Sequence, residues 1–192
     1  MILLPQKLFF TAGVGIHNDQ LMSFEYALRN AGIERCNWVA VSSIFPAGCQ
    51  VIEKEEGVKL LVPGQMALYV LARGECFGGG ASAAVGAAIP HDNSKYGYLS
   101  EFHADNLLDI SIEERLIQVR KLAADKAEDI ARTLYLTKNV PECAGREDLI
   151  KEDDPHMRTM KDCLTVNSVS ASSMGKAATW CTVIAAAVLL FD

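Results

Sequence analysis

The chain has 192 residues, half of them hydrophobic but only 7% aromatic, and a formal net charge of −6. That length suits a single domain, residues 1–192, with a sizeable aliphatic and alanine-rich core. The acidic balance argues against a nucleic-acid partner, which would call for a basic face.

The six cysteines, at 36, 49, 76, 143, 163 and 181, form no C-x-x-C pair and no Cys/His spacing of a zinc site. Free thiols in a reducing cytoplasm and no metal are therefore expected. Met1-Ile2-Leu3-Leu4 is too short for a signal peptide and is broken by Pro5. The apolar run from Thr182 to Phe191 is about half the length of a membrane span, so it is predicted to be a buried central strand. No membrane partner is expected.

In chain order, Lys7–Thr11 is predicted as a first strand, ended by a tight turn over Gly13-Val14-Gly15. This Gly-x-Gly has the spacing that begins a phosphate cradle, but no third glycine or helix follows in register. Ser23 is the predicted cap of a helix with Phe24, Ala27, Leu28 and Ala31 on one face and Gly32 as its stop. Asn37–Ser42 reads as a strand of β-branched and aromatic residues. Gln65–Arg73 and Ala81–Ile89 read as strands joined by a flexible loop from Gly74 to Gly80. Tyr96–Phe102 follows as a further strand.

Ser111-Ile112-Glu113-Glu114 is a capping box opening a long helix, whose apolar residues from Ile112 to Leu134 keep helical spacing. Val140–His156 reads as an acidic surface loop, and strands near Lys161–Ser170 and Thr179–Leu190 close the chain. Many strands with two helices predict an α/β fold, a layered α-β-β-α sandwich with mainly antiparallel sheets. A doubly wound sheet would alternate strands with helices.

The segment with most chemical content is Asn37-Trp38-Val39-Ala40-Val41-Ser42-Ser43-Ile44-Phe45-Pro46-Ala47-Gly48-Cys49. A serine after a strained peptide bond can attack the preceding carbonyl and break the chain without a protease. The serine left at the new end can then become a pyruvoyl group. Taken alone, Ser42-Ser43 reads as a strand-to-turn junction before Pro46.

Three ordered blocks widen the context. Ser23-Phe24-Glu25-Tyr26-Ala27-Leu28, Asn30-Ala31-Gly32-Ile33-Glu34, Asn37 and Val41-Ser42-Ser43-Ile44-Phe45-Pro46 make the first. Ala88-Ile89-Pro90 leading into Tyr96-Gly97-Tyr98-Leu99-Ser100-Glu101 is the second, and Trp180–Val188 the third. Together they resemble the pyruvoyl-dependent arginine decarboxylases.

The resemblance implies self-cleavage between Ser42 and Ser43 into chains 1–42 and 43–192, with Ser43 as the pyruvoyl precursor. Amino-acid decarboxylation needs an electron sink at Cα. The pyruvoyl would supply it through a Schiff base to the substrate amine, with no metal and no pyridoxal phosphate. L-Arginine would then give agmatine and CO2.

Glu101, on an apolar predicted strand where burial would favour its protonated form, is implied as the acid that returns a proton to Cα. His103, on the same strand face, is the other donor considered. Asn37 is implied near the cleavage or binding site. Six extended residues put it roughly 20 Å from Ser43, so a pocket shared between neighbouring subunits is expected, and the resemblance implies a homotrimer with interfacial sites. Glu25, read as lying in the first turn of its helix, where the dipole also favours a carboxylate, is implied to fork onto the substrate guanidinium. Two other readings stay open: a pyruvoyl decarboxylase of another amino acid such as histidine, and an uncleaved, non-enzymatic oligomeric binding protein.

Overall fold

Alternation of apolar side chains along long strands decides the architecture. The computed structural model describes residues 4–105 and 164–191, with scattered positions between 111 and 125. In order these form β1 (Lys7–His17), α1 (Gln20–Ala31), β2 (Asn37–Ala40), β3 (Ile44–Phe45), β4 (Gln50–Val51), α2 (Lys54–Leu60), β5 (Met66–Phe77), β6 (Gly80–Pro90), β7 (Gly97–Asp105), β8 (Leu164–Met174) and β9 (Trp180–Leu190). A five-stranded sheet runs β2-β5-β9-β1-β4, and a four-stranded sheet runs β3-β7-β6-β8. Pairing is antiparallel except for β1 with β4 and β2 with β5.

The two sheets face each other across one apolar layer. Val183, Ala185, Ala187 and Leu189 of β9 meet Ala81, Ala83, Val85 and Ala87 of β6, with Leu8, Val70, Phe45 and Leu99 around them. Intervening residues of β9, Ile184, Ala186 and Val188, point the other way and pack with Phe9 under Ala27, Leu28 and Ala31 of α1. The apolar C-terminal run is thus a central strand buried on both faces, as expected. The fold is an α/β sandwich of two mainly antiparallel sheets with helices on the outer face of the larger one. Ser111 and Glu114 form the predicted capping box: each backbone N–H donates to the other's side-chain oxygen, at 3.1 and 3.2 Å. Scattered positions from Glu113 to Asp125 are helical; the rest of that expected helix, and the acidic loop, lie outside the described residues.

Several local expectations are corrected. β1 does not stop at Thr11 but runs through Gly13 and Gly15 to His17. These glycines form no turn and no phosphate cradle. Their faces lie directly beneath α1, where a Cβ on Gly13 would meet the Ala27 carbonyl and one on Gly15 the Ser23 carbonyl. Small residues are needed because helix and strand backbones nearly touch. The Thr11 hydroxyl adds a tie, donating to the Ala31 carbonyl at 2.7 Å.

The helix cap is Asp19, whose carboxylate accepts from the Met22 N–H; Ser23 is a buried residue within the helix. Gly32 does stop the helix, at φ 79. The expected loop from Gly74 to Gly80 is mostly strand, with Gly78 (φ 71) at a short reversal. The two-residue strands β3 and β4 and the short helix α2 carry too little pattern to be read from sequence.

Candidate active site

Ser42 and Ser43 occupy the crossing between the two sheets. On one side, the Val41 N–H donates to the Tyr69 carbonyl at 3.0 Å, extending the β2 pairing with β5. On the other, β3 pairs with β7 in the register Ile44↔Tyr98 and Phe45↔Gly97. Continued one residue, that register sets Ser43 opposite Leu99, whose backbone N–H donates to the Ser43 carbonyl at 2.9 Å. Ser42 is exposed and Ser43 half-buried.

Side chains on one sheet face recur every second residue. Ser43 therefore shares the face of Phe45 and Leu99, both turned into the inter-sheet core. Glu101 lies two residues beyond Leu99 on that same face, opposite Val85 of β6. It is a diagonal cross-strand neighbour of Ser43, a relationship that spans about 7–8 Å. The fold brings these two residues together from distant parts of the chain.

The burial expected for Glu101 is not provided by the described residues: it is exposed, as is His103. The reason is topological. β3 is only two residues long, so beyond Ser100 no strand among the described residues flanks β7 on that side.

Asn37 and Glu25 lie elsewhere. Asn37 is exposed at the far end of β2, paired with Met66, and its amide donates to the Gly64 carbonyl at 2.8 Å. The extended chain from Asn37 to Val41 keeps it away from its own Ser43, as the spacing predicts. Glu25 is in the second turn of α1 rather than the first, on the outer face of the larger sheet. There it pairs with Arg29 at 2.9 Å, one turn along the same helix. Such a partly exposed pair contributes little, below about 1 kcal/mol, and can yield to another guanidinium.

A second polar cluster lies beneath α1. Glu75 accepts from Arg73 at 2.6 Å, from Thr182 at 2.9 Å and from Gln20 at 3.1 Å. Thr182 is in turn hydrogen-bonded to Ser23 at 2.6 Å. The Arg73 guanidinium lies over the Phe24 ring, 3.8 Å from its centre. Burial pushes the Glu75 carboxyl up, but the hydrogen bonds from Arg73, Thr182 and Gln20, with the Arg73 charge, outweigh it and hold the group below its ordinary range. The visible signal for this cluster was two opposite charges on an otherwise apolar strand. The Leu99 N–H, by contrast, leaves no trace in sequence, because every residue but proline has one.

A pocket of about 260 Å3 lies between the start of the chain and the loop after β3, lined by Pro5, Lys7, Ala47 and Gly48 among others. It includes none of Ser42, Ser43, Glu101, Asn37 or Glu25. No helix among the described residues is long and apolar enough to cross a membrane.

The fold and site together define a two-sheet α/β sandwich with a serine pair at the crossing between its sheets and a carboxylate diagonal to the second serine. Sequence comparison makes the class particular. The sequence model of the pyruvoyl-dependent arginine decarboxylase family matches residues 7–192. The chain is 41% identical over 192 residues to a probable pyruvoyl-dependent arginine decarboxylase of Chlorobium limicola, covering 99% of each chain. It is 42% identical over 139 residues to pyruvoyl-dependent arginine decarboxylase 2 of Archaeoglobus fulgidus, 71% of this chain and 88% of that one. With pyruvoyl-dependent arginine decarboxylase 1 of Methanosarcina acetivorans it shares 51% identity over 104 residues, 53% of this chain and 63% of the relative. The chain belongs to the pyruvoyl-dependent arginine decarboxylase family. A covalently bound pyruvoyl group, in place of a metal or pyridoxal phosphate, comes with that membership.

Proposed function

We propose that the chain cleaves itself between Ser42 and Ser43 and, with a pyruvoyl group made from Ser43, decarboxylates L-arginine to agmatine and CO2 in the cytoplasm. The observation that carries the reading is the placement of Ser43 opposite Leu99 and diagonal to Glu101. The residues present fit the group: a hydroxyl residue stands at an accessible crossing, and its own carbonyl is already held by a backbone donor.

The pyruvoyl group would supply the electron sink that decarboxylation needs: a ketone to condense with the substrate amine, beside an amide carbonyl. That amide carbonyl is the present Ser43 carbonyl. The Leu99 N–H, 2.9 Å from its oxygen, would hold this carbonyl and stabilise negative charge placed on it, the arrangement that lowers such barriers most. Glu101, on the same face, holds the proton that returns to Cα. Exposed among the described residues, it is open to closure by substrate or by a neighbouring copy.

Glu25 accepts the guanidinium in place of Arg29. It lies outside the larger sheet while Ser43 and Glu101 face the inner layer, so the Glu25 that completes a site belongs to a second subunit. Asn37 likewise acts on the Ser43 of a neighbour. A homotrimer with sites between its subunits satisfies both constraints.

Denaturing mass spectrometry tests the cleavage. Chains of residues 1–42 and 43–192 are expected, the larger resisting Edman degradation because it begins with a ketone. Ser43→Ala should remain whole and form no agmatine. A native chain that stays intact through prolonged incubation would overturn the reading.

A further inference from the structure

The Ser42 carbonyl oxygen accepts a hydrogen bond from the Ile44 backbone N–H at 2.8 Å. A bond from two residues ahead closes a γ-turn centred on Ser43. Ser43 is not at positive φ, so this is the inverse form, common at strand ends. Hydrogen-bonded pairs alternate along an antiparallel ladder. Ser43 and Phe45 take those positions toward β7, as the Leu99 contact with Ser43 fixes. The Ile44 N–H is thus spared from the ladder and free to turn back on Ser42. Its acceptor is the carbonyl that the Ser43 hydroxyl would attack.

We infer that the Ile44 backbone N–H is the oxyanion donor of chain cleavage, an inference that rests on the cleavage proposed at Ser42 and Ser43. In the step it serves, Ser43 Oγ forms a bond to the Ser42 carbonyl carbon and gives up its proton. The carbonyl electron pair moves onto the oxygen held by Ile44. Collapse restores the carbonyl and breaks the bond to the Ser43 nitrogen, which takes up a proton and leaves as an amine. The two parts are then joined by an ester, with no electrons gained or lost overall. A hydrogen bond to a charged oxygen is roughly twice as strong as one to a neutral carbonyl. The contact therefore tightens in the transition state, which is what makes it catalytic.

The test replaces the donor and reads chain cleavage, not decarboxylation. The full chain is made with the α-hydroxy analogue of isoleucine at position 44, exchanging the N–H for an ester oxygen. A control carries the same exchange at Phe45, which removes a ladder bond from β3 but spares Ser42. Ile44→Pro removes the same donor by a second route, should the ester at 44 fail to fold. Cleavage is followed on denaturing gels, with circular dichroism and melting curves to establish folding. Loss of the Ile44 donor is expected to slow cleavage about a hundredfold to a thousandfold, and the Phe45 exchange to leave it near the native rate. Near-native cleavage in folded protein lacking the Ile44 donor, or equal slowing by the Phe45 exchange, would overturn the inference. A native chain that never cleaves would overturn the proposed function instead.

Discussion

The Leu99 backbone N–H donates to the Ser43 carbonyl oxygen at 2.9 Å, tying the residue after the proposed cut to the smaller sheet. The residue before Ser42 is tied to the larger one, through the Val41 N–H and the Tyr69 carbonyl. Each side of the cut therefore has its own anchor. β1, on the future small chain, is also paired along its whole length with β9. Cleavage should relax the crossing without releasing either piece, and the two chains should co-purify until denatured.

Glu101→Gln should still cleave at least in part but lose most of its decarboxylation. A glutamine amide keeps the shape yet has no proton to give to Cα. General acid catalysis is worth about a hundredfold to ten-thousandfold, so agmatine formation per cleaved chain should fall within that range. Near-normal turnover by cleaved Glu101→Gln would move the acid role to another group, with His103 on the same strand face the next to test.

Glu25→Gln should leave cleavage intact and weaken arginine binding by about 2 kcal/mol or more, the usual cost of leaving a buried charge unpaired. Co-expression with Ser43→Ala asks whether the site is shared. At arginine concentrations well below saturation each variant alone is expected to be nearly inactive, whereas mixed oligomers should recover part of the activity from interfaces that receive one intact half from each copy. Absence of recovery in verified mixed oligomers would place the whole site within one subunit.

Glu75→Gln should destabilise the fold in a pH-dependent way. A carboxyl held below its ordinary value of 4.5 contributes stability that is fully present above that value and is lost as pH falls through the depressed one. At neutral pH the variant should be less stable by about 1–3 kcal/mol, since Arg73 loses its charged partner in a partly buried site. Denaturant midpoints of the two proteins should converge on acidification. A gap that stays constant into acid would show that the cluster acts through shape rather than charge.

Gly13→Ala should cost about 1–3 kcal/mol by forcing α1 off the sheet. The added methyl would meet backbone rather than a flexible side chain, including the Ala31 nitrogen at 2.7 Å. Chemical denaturation measures it, and a change within about 0.5 kcal/mol, typical of an unconstrained surface site, would mean the helix shifts freely.

Hydrophobic pattern alone carried most of the long strands, the helix from Phe24 to Ala31 with its Gly32 stop, and the two-sheet class. Those features are local: a period of two or of nearly four is written in neighbouring residues. Ser42-Ser43 was legible as a chemical possibility for the same reason, because a hydroxyl beside its own carbonyl needs no distant partner. Tertiary structure decided what depends on register between remote segments. It turned Gly13 and Gly15 from a turn into the floor of a helix, and it moved the cap from Ser23 to Asp19. It set Ser43 opposite Leu99 with Glu101 alongside, past the end of the two-residue β3. Which backbone N–H meets which carbonyl is fixed only when two strands align, and no stretch of either strand carries that information by itself.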